Sequence, residues 1–150
     1  MEKDWISGLL GLWSGELNLW SVLFRLVLSL LLSAIIGCER SSKRHSAGLR
    51  TFILVSLVGT GTMLIDQYLM LFYKAPLPVL SAAGVIGTAT LSSNSVLFSS
   101  KSQIKGLTTS VGLWCCGVVG ISLGAGMYTV ALGLTLTMLT CMSSLPALEK

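Results

Sequence analysis

Charged residues are scarce in this sequence. They make up 11% of its 150 residues, whereas soluble domains carry about 25%. So few charges cannot cover a globule in water, which excludes an ordinary soluble enzyme and also a disordered chain. The net charge of +4 is too small to suggest a nucleic-acid surface. Hydrophobic residues make up 53% and the mean hydropathy is +0.82, so a single membrane domain over residues 1–150 is predicted.

Residues for metal or nucleophilic chemistry are also few. The single histidine, His45, and four cysteines without C-x-x-C spacing cannot compose a zinc site. Gly59-Thr60-Gly61 lacks the lysine of a phosphate-binding loop. We therefore expect no enzyme activity, no cofactor and no metal site. We interpret all four cysteines as small apolar packing residues: Cys38, Cys115, Cys116 and Cys141.

Five apolar runs are long enough to cross about 30 Å of hydrocarbon. They are Leu17–Gly37, Leu49–Tyr68, Leu77–Phe98, Leu107–Leu123 and Met127–Leu145. The fold class predicted is an all-α integral membrane protein with five transmembrane helices. The third run is the weakest, since it is rich in Ala, Gly, Ser and Thr.

A short amphipathic helix is expected to lie in the membrane interface before the first span. Apolar residues recur there at helical spacing, at Ile6, Leu9, Leu10, Trp13 and Leu17. A signal peptide is the alternative, but it would need a basic start and a small-residue cleavage site. The start Glu2-Lys3-Asp4 supplies neither.

The distribution of basic residues predicts the orientation, because cytoplasmic loops are rich in Lys and Arg. The loops after the first and third runs carry Arg40, Lys43, Arg44 and Arg50, and Lys101 and Lys105. The amino terminus is therefore expected outside and the carboxyl terminus in the cytoplasm. Aromatic residues that favour an interface fall on the predicted outer side: Trp13, Trp20, Tyr68, Tyr73 and Tyr128.

Three sequence blocks resemble the MgtC/SapB family of bacterial membrane proteins. They read Ile36-Gly37-Cys38-Glu39-Arg40 with Ala47-Gly48-Leu49-Arg50-Thr51, then Lys105-Gly106-Leu107-Thr108-Thr109 with Leu113-Trp114, and finally Gly120 to Tyr128. Their order and spacing are those of the family. The departures include Cys38 for a leucine, His45-Ser46 for Lys-Pro, and a third span that keeps only Gly84 and Gly87 of a glycine-rich run.

The resemblance implies a regulatory or binding protein. The family is linked to magnesium homeostasis, virulence and restraint of the ATP synthase, and its older description as a magnesium transporter implies the alternative of a small ion or solute transporter or channel subunit. Mg²⁺ prefers several oxygen ligands, and only Glu39 and Asp66 lie near the spans. Many members also carry a soluble ACT-like domain after the fifth span, which this chain is expected to lack. Membrane lipids and a membrane-protein partner or second copy are the expected partners, without nucleic acid.

A charged cluster on the cytoplasmic side is the first candidate site. It comprises Glu39, Arg40, Arg50, Thr51 and Lys105, and a Glu39–Arg50 ion pair would join the first two spans. The cluster could bind a ligand, a partner or anionic lipid, to which each basic residue contributes about 1 kcal/mol. The alternative is that these residues only orient the chain.

Polar residues within the spans form the second set. Arg25 lies about 12 Å below Leu17 at about 1.5 Å per residue, and Asp66 reaches a similar depth, so an ion pair is predicted. The alternative is that Arg25 extends to the outer surface alone. Asn94 is expected deep in the third span, bridging helices rather than binding a solute. Helix packing is predicted at Gly84, Gly87, Gly117, Gly120 and Gly124.

Overall fold

Five helices make up most of the chain, as the sequence predicted. The computed structural model describes residues 17–42, 47–94, 96–98 and 104–148. In chain order the helices are α1 (Leu19–Ser42), α2 (Leu49–Tyr73), α3 (Val79–Ser93), α4 (Leu107–Gly124) and α5 (Tyr128–Leu148). Two short strands, β1 (Leu97–Phe98) and β2 (Ile104–Lys105), pair antiparallel between α3 and α4. The all-α membrane fold class is confirmed, while the predicted interfacial helix lies outside the described residues.

Three of the helices, α1, α2 and α4, are long and apolar enough to cross a membrane. The other two apolar stretches, Val79–Ser93 and Tyr128–Ser143, are shorter. Helix α3 ends at Ser93, whereas the third span was predicted to run to Phe98. The polar run that follows Leu91 explains the early end, because Ser and Asn side chains compete for backbone hydrogen bonds and favour turns over helix.

Helix α1 carries its polar residues on its buried face. Ser21, Arg25, Ser29, Ser33 and Arg40 are buried, and large apolar side chains of the same helix are exposed, namely Leu19, Trp20, Leu23, Val27, Leu30, Leu31 and Ile35. In water this arrangement would be unfavourable. In a bilayer the apolar face contacts lipid and the polar face contacts neighbouring helices, so α1 has the polarity of a membrane helix.

Helix α4 lies at the centre of the bundle, where small residues allow close approach. A Cβ added at Gly59 of α2 would lie 2.6 Å from the Gly117 carbonyl oxygen, and one at Gly120 would overlap the Ser56 carbonyl. The backbones of α2 and α4 are therefore in contact, which is the packing that small residues permit in membrane helices. Apolar side chains close the bundle on either side of this contact, among them Ile36, Phe52, Val119 and Leu123.

The aromatic residues divide into two groups. Trp20 and Tyr73 are exposed, as rings at a membrane interface would be. Tyr128 is only 1% exposed and its ring meets Phe24 edge-on, with centroids 6.0 Å apart. Tyr128, at the start of α5, therefore packs into the bundle instead of exposing its ring.

Candidate functional site

Arg25 of α1 is buried against the carboxyl end of α4. It is 2% exposed, and its Nη1 donates to the Gly124 carbonyl at 2.6 Å and to Gln67 Oε1 at 2.8 Å. The last carbonyls of a helix have no partner within it and form the negative end of its dipole. Arg25 therefore places a cation where the helix carries partial negative charge.

A glycine turn after α4 shapes this contact. Gly126 has φ +79°, and hydrogen bonds from Gly126 N to Leu123 O and from Met127 N to Ser122 O close a Schellman motif. A Cβ at Gly126 would lie 3.3 Å from Arg25 Nη2. The turn thus needs glycine for its backbone angle and also leaves room for the guanidinium.

Asp66 does not pair with Arg25, contrary to the prediction. Its carboxylate accepts hydrogen bonds from the backbone N–H of Leu80 at 3.0 Å and of Ser81 at 2.5 Å, so it caps the first turn of α3. The prediction placed both residues at the right depth, but it ignored rotation. Consecutive residues point about 100° apart around a helix, so Gln67 faces Arg25 while Asp66 faces α3.

Hydroxyl groups fill the middle of the α1–α2–α4 contact. Ser29 Oγ lies 2.8 Å from Ser56 Oγ, and Thr60 Oγ1 lies 2.9 Å from Ser29 Oγ and 3.0 Å from the Gly120 carbonyl oxygen. All three side chains are fully buried. Sequence analysis missed this network, although polar residues spaced by four along α1 are a signal that could have indicated it.

Arg40 occupies the opposite end of α1 and of α4. It is 3% exposed, and its Nη2 donates to Thr109 Oγ1 at 2.8 Å. Thr109 is itself buried in the first turn of α4, which begins after Gly106. Gly106 has φ 92° and offers no capping side chain. Arg40 therefore lies at the amino end of α4, where unbonded N–H groups form the positive end of the dipole.

The other members of the predicted charged cluster lie around this point. The ends of α1 and α2 meet, since a Cβ at Gly37 would lie 2.9 Å from Leu49 Cα. Glu39 is half-buried, whereas Arg50 and Thr51 are exposed. The predicted Glu39–Arg50 ion pair stays a prediction. Sequence analysis did not single out Thr109, although it lies in one of the family blocks.

Lys105 and Asn94 lie in the connection between α3 and α4. Lys105 is in β2, directly before Gly106. Asn94 is the exposed C-cap residue of α3, and its backbone N–H donates to the Ser92 carbonyl. Asn94 therefore ends a helix instead of lying deep within a span.

The five candidate packing glycines differ in their surroundings. A Cβ at Gly124 would lie 2.7 Å from Met63 Cβ, one at Gly117 would lie 3.1 Å from Thr88 Cγ2, and one at Gly84 would lie 3.3 Å from Thr62 Oγ1. Gly120 meets Ser56, as described above. Gly87 has no such atom within 4 Å. Within this chain, four of the five glycines lie at helix contacts.

Neither arginine end offers a metal site. Over the described ranges 17–42, 47–94, 96–98 and 104–148, no group of three or more His, Cys, Asp or Glu is placed to hold a metal ion. The chemistry available at the Arg40 end is that of hydrogen-bond donors and positive charge, which suits an anion.

Known proteins are similar in sequence to this chain over most of its length. The model of the MgtC family matches residues 26–150. "Protein MgtC" of Brucella abortus (strain 2308) is 34% identical over 101 residues, covering 67% of this chain and 41% of the relative. "Putative magnesium transporter YhiD" of Escherichia coli (strain K12) is 30% identical over 124 residues, covering 78% and 57%. "Protein SapB" of Bacillus subtilis (strain 168) is 27% identical over 136 residues, covering 83% and 56%.

The chain spans about half the length of the curated relatives it matches, between 41% and 57% of those named here. No solved structure matches the chain. The matched region contains Arg40 and Thr109, so the candidate site lies within the part of the chain that resembles known proteins.

Proposed function

The chain belongs to the MgtC family, and we propose that it is a regulatory, non-catalytic membrane protein linked to magnesium homeostasis, stress adaptation or virulence. The description of the Escherichia coli relative as a putative magnesium transporter supports the link to magnesium. We place it in the bacterial inner membrane, with the amino terminus outside and the Arg40 end in the cytoplasm. The supporting observation for this orientation is the excess of Lys and Arg in the loops at that end.

One observation carries the proposed regulatory role: a buried arginine is held at the meeting point of three helices, among charged neighbours. Arg40 is 3% exposed beside the start of α4, with Glu39 half-buried and Arg50 exposed nearby. Arginine is rarely buried unless its charge is paired or has a function. We propose that the cluster Glu39, Arg40, Arg50, Thr51 and Lys105 receives a regulatory ligand, an anionic lipid or a membrane-protein partner.

The partner is a second copy of the chain or another membrane protein. Large apolar side chains on α1 and α3 are exposed, and no atom lies within 4 Å of a Cβ built at Gly87. A further helix could pack on this surface.

Growth at low magnesium tests the proposed role. A bacterial strain whose growth at low magnesium depends on this protein is complemented with the variant Glu39→Gln, Arg40→Gln or Arg50→Gln. We expect each to abolish growth while the protein still reaches the membrane in normal amount and orientation. Lys43→Gln is the matched control, since it removes one charge outside the family blocks and should leave growth unchanged. The proposal fails if all four variants behave alike.

Magnesium flux separates this role from the alternative of transport, which the description of the Escherichia coli relative favours. Purified protein in proteoliposomes loaded with a magnesium-sensitive dye should give no flux above empty vesicles. Saturable flux that Arg40→Gln abolishes would make the cluster part of a transport path instead.

A further inference from the structure

We propose that the Arg40 end of α4 binds a phosphoryl anion, held between the Arg40 guanidinium and the first-turn N–H groups of α4. This inference rests on the proposed function, because it names the ligand class of the same cluster. Arg40, Thr109 and the backbone that follows Gly106 are the parts that carry it.

The first step is the sign of the charges. Three charged side chains are buried in the described part of the chain: Arg25, Arg40 and Asp66. Arg25 lies at the negative end of α4, and Asp66 lies at the positive end of α3. Arg40 lies at the positive end of α4. It is the one buried charge of the three at the like-charged end of a helix dipole. The neighbouring Glu39 carboxylate offsets part of that repulsion, and a bound anion at the helix end would offset more of it.

The second step is the state of the donors. Arg40 Nε is buried and has no hydrogen-bond partner among the residues described, as is also the case for Arg25 Nε. The two arginines differ in what their other guanidinium nitrogens reach. Its Nη2 reaches a neutral hydroxyl, Thr109 Oγ1. Gly106, the N-cap residue of α4, makes no side-chain capping bond. The unpartnered Nε–H of Arg40 therefore lies on the residue that contacts the first turn of α4, whose N–H groups have no partner within the helix. A buried donor without a partner is unfavourable, and an anion would satisfy it.

The third step is the shape of the ligand. An arginine fork and a helix amino terminus both suit a group with several oxygens on one centre, and phosphate is bound in proteins by each of them. Leu107 and Thr108 are exposed, so the first turn of α4 is open to an approaching group. A carboxylate would satisfy fewer of these donors, which is why the chemistry favours a phosphoryl group.

Two sources could supply this group, a lipid headgroup or a soluble phosphate compound, and the experiment separates them. The purified full chain is placed in nanodiscs of neutral phosphatidylcholine and titrated with inorganic phosphate at constant ionic strength. In the second arm the nanodiscs contain increasing fractions of phosphatidic acid without added phosphate. Binding is followed by the change in intrinsic tryptophan fluorescence and by the midpoint of thermal unfolding.

We expect saturable binding in at least one arm. Arg40→Gln should weaken it about tenfold or more, since a charge-assisted fork contact is lost, and Arg40→Lys should weaken it less. Lys43→Gln, which makes the same change in net charge outside the family blocks, should stay within about twofold of the wild type. If Arg40→Gln does not fold, Arg40→Lys and Thr109→Val provide the test, and both should weaken binding.

Three outcomes would overturn the anion site: no binding in either arm, equal loss in Arg40→Gln and Lys43→Gln, or undiminished binding in Arg40→Lys and Thr109→Val. Equal loss would indicate only a basic surface. The binding measurements involve no cells, so they can fail while the growth experiment succeeds. In the same way, an Arg40→Gln protein that loses phosphate binding but supports growth at low magnesium would overturn the proposed regulatory role and leave the anion site standing.

Discussion

The two buried arginines of α1 lie at opposite ends of α4 and have opposite electrostatic surroundings. Arg25 donates to the Gly124 carbonyl and to Gln67, and both are acceptors. Arg40 donates to the Thr109 hydroxyl beside an uncapped helix start. Two arginines of one helix, buried to a similar extent, thus face opposite ends of the α4 dipole: Arg25 its negative end, and Arg40, beside Glu39, its positive end.

This difference assigns the two residues different roles. A buried charge whose hydrogen bonds are made within the chain holds helices together, so Arg25 is a structural residue joining α1, α2 and α4. A buried charge next to like partial charge lowers the stability of the ligand-free chain, so Arg40 is better explained by what it binds.

Replacing Arg25 should cause the largest effect. We expect Arg25→Met to destabilise the protein by about 3 kcal/mol, because it removes two charge-assisted hydrogen bonds worth about 1.5 kcal/mol each or more. The measurement is the midpoint of thermal unfolding in mild detergent, with membrane accumulation as a second readout. Arg25→Lys should recover part of the loss. Normal stability of Arg25→Met would show that the two arginine ends do not differ in this way.

The turn that shapes the Arg25 end should be the next most sensitive feature. Gly126→Ala should cost about 1–2 kcal/mol, because a residue with a Cβ is disfavoured at φ +79° and the added methyl lies close to Arg25. Gly87→Ala is the control, since no atom lies within 4 Å of that Cβ and alanine favours the helix. Both variants are measured by thermal unfolding. A lower unfolding midpoint for Gly87→Ala than for Gly126→Ala would contradict this account.

Replacing Asp66 tests whether Arg25 stabilises the protein independently of the Asp66 carboxylate. Asp66→Asn should cost about 1 kcal/mol, the usual contribution of a helix cap and its charge. Because Asp66 caps α3 and does not pair with Arg25, the losses of Asp66→Asn and Arg25→Met should add in the double variant within about 0.5 kcal/mol. A double variant more stable than either single variant would instead restore the ion pair predicted from the sequence.

Replacing Arg40 should have the smallest effect on stability. In phosphate-free buffer and neutral lipid, Arg40→Met should unfold within about 1 kcal/mol of the wild type, since replacing a buried charge by a side chain of similar volume is often neutral or stabilising. Added phosphate should then raise the unfolding midpoint of the wild type and leave Arg40→Met unchanged. A loss as large as that of Arg25→Met would show that Arg40 is structural too.

The helices followed from the sequence because apolar runs and helix geometry are local properties. The predicted runs that begin at Leu49 and Leu107 start at the first residues of helices α2 and α4. The third run was overestimated, since a count of apolar residues does not register how strongly the residues after Leu91 favour a turn. The charged cluster was predicted around Arg40, but its contact with Thr109 depends on the distance between helices far apart in the chain.

The sequence by itself determined that this protein is an all-α membrane domain of the MgtC family. It placed Arg25 within the first span but Arg40 in the loop after it, whereas the structure places both on α1. Composition and motif spacing are readable along the chain without knowledge of its packing. Only the tertiary structure decided that Gln67, and not Asp66, meets Arg25, and that Arg40 reaches the positive end of α4. Those contacts depend on how each helix is rotated about its axis, and close packing of glycine backbones between α2 and α4 sets that rotation.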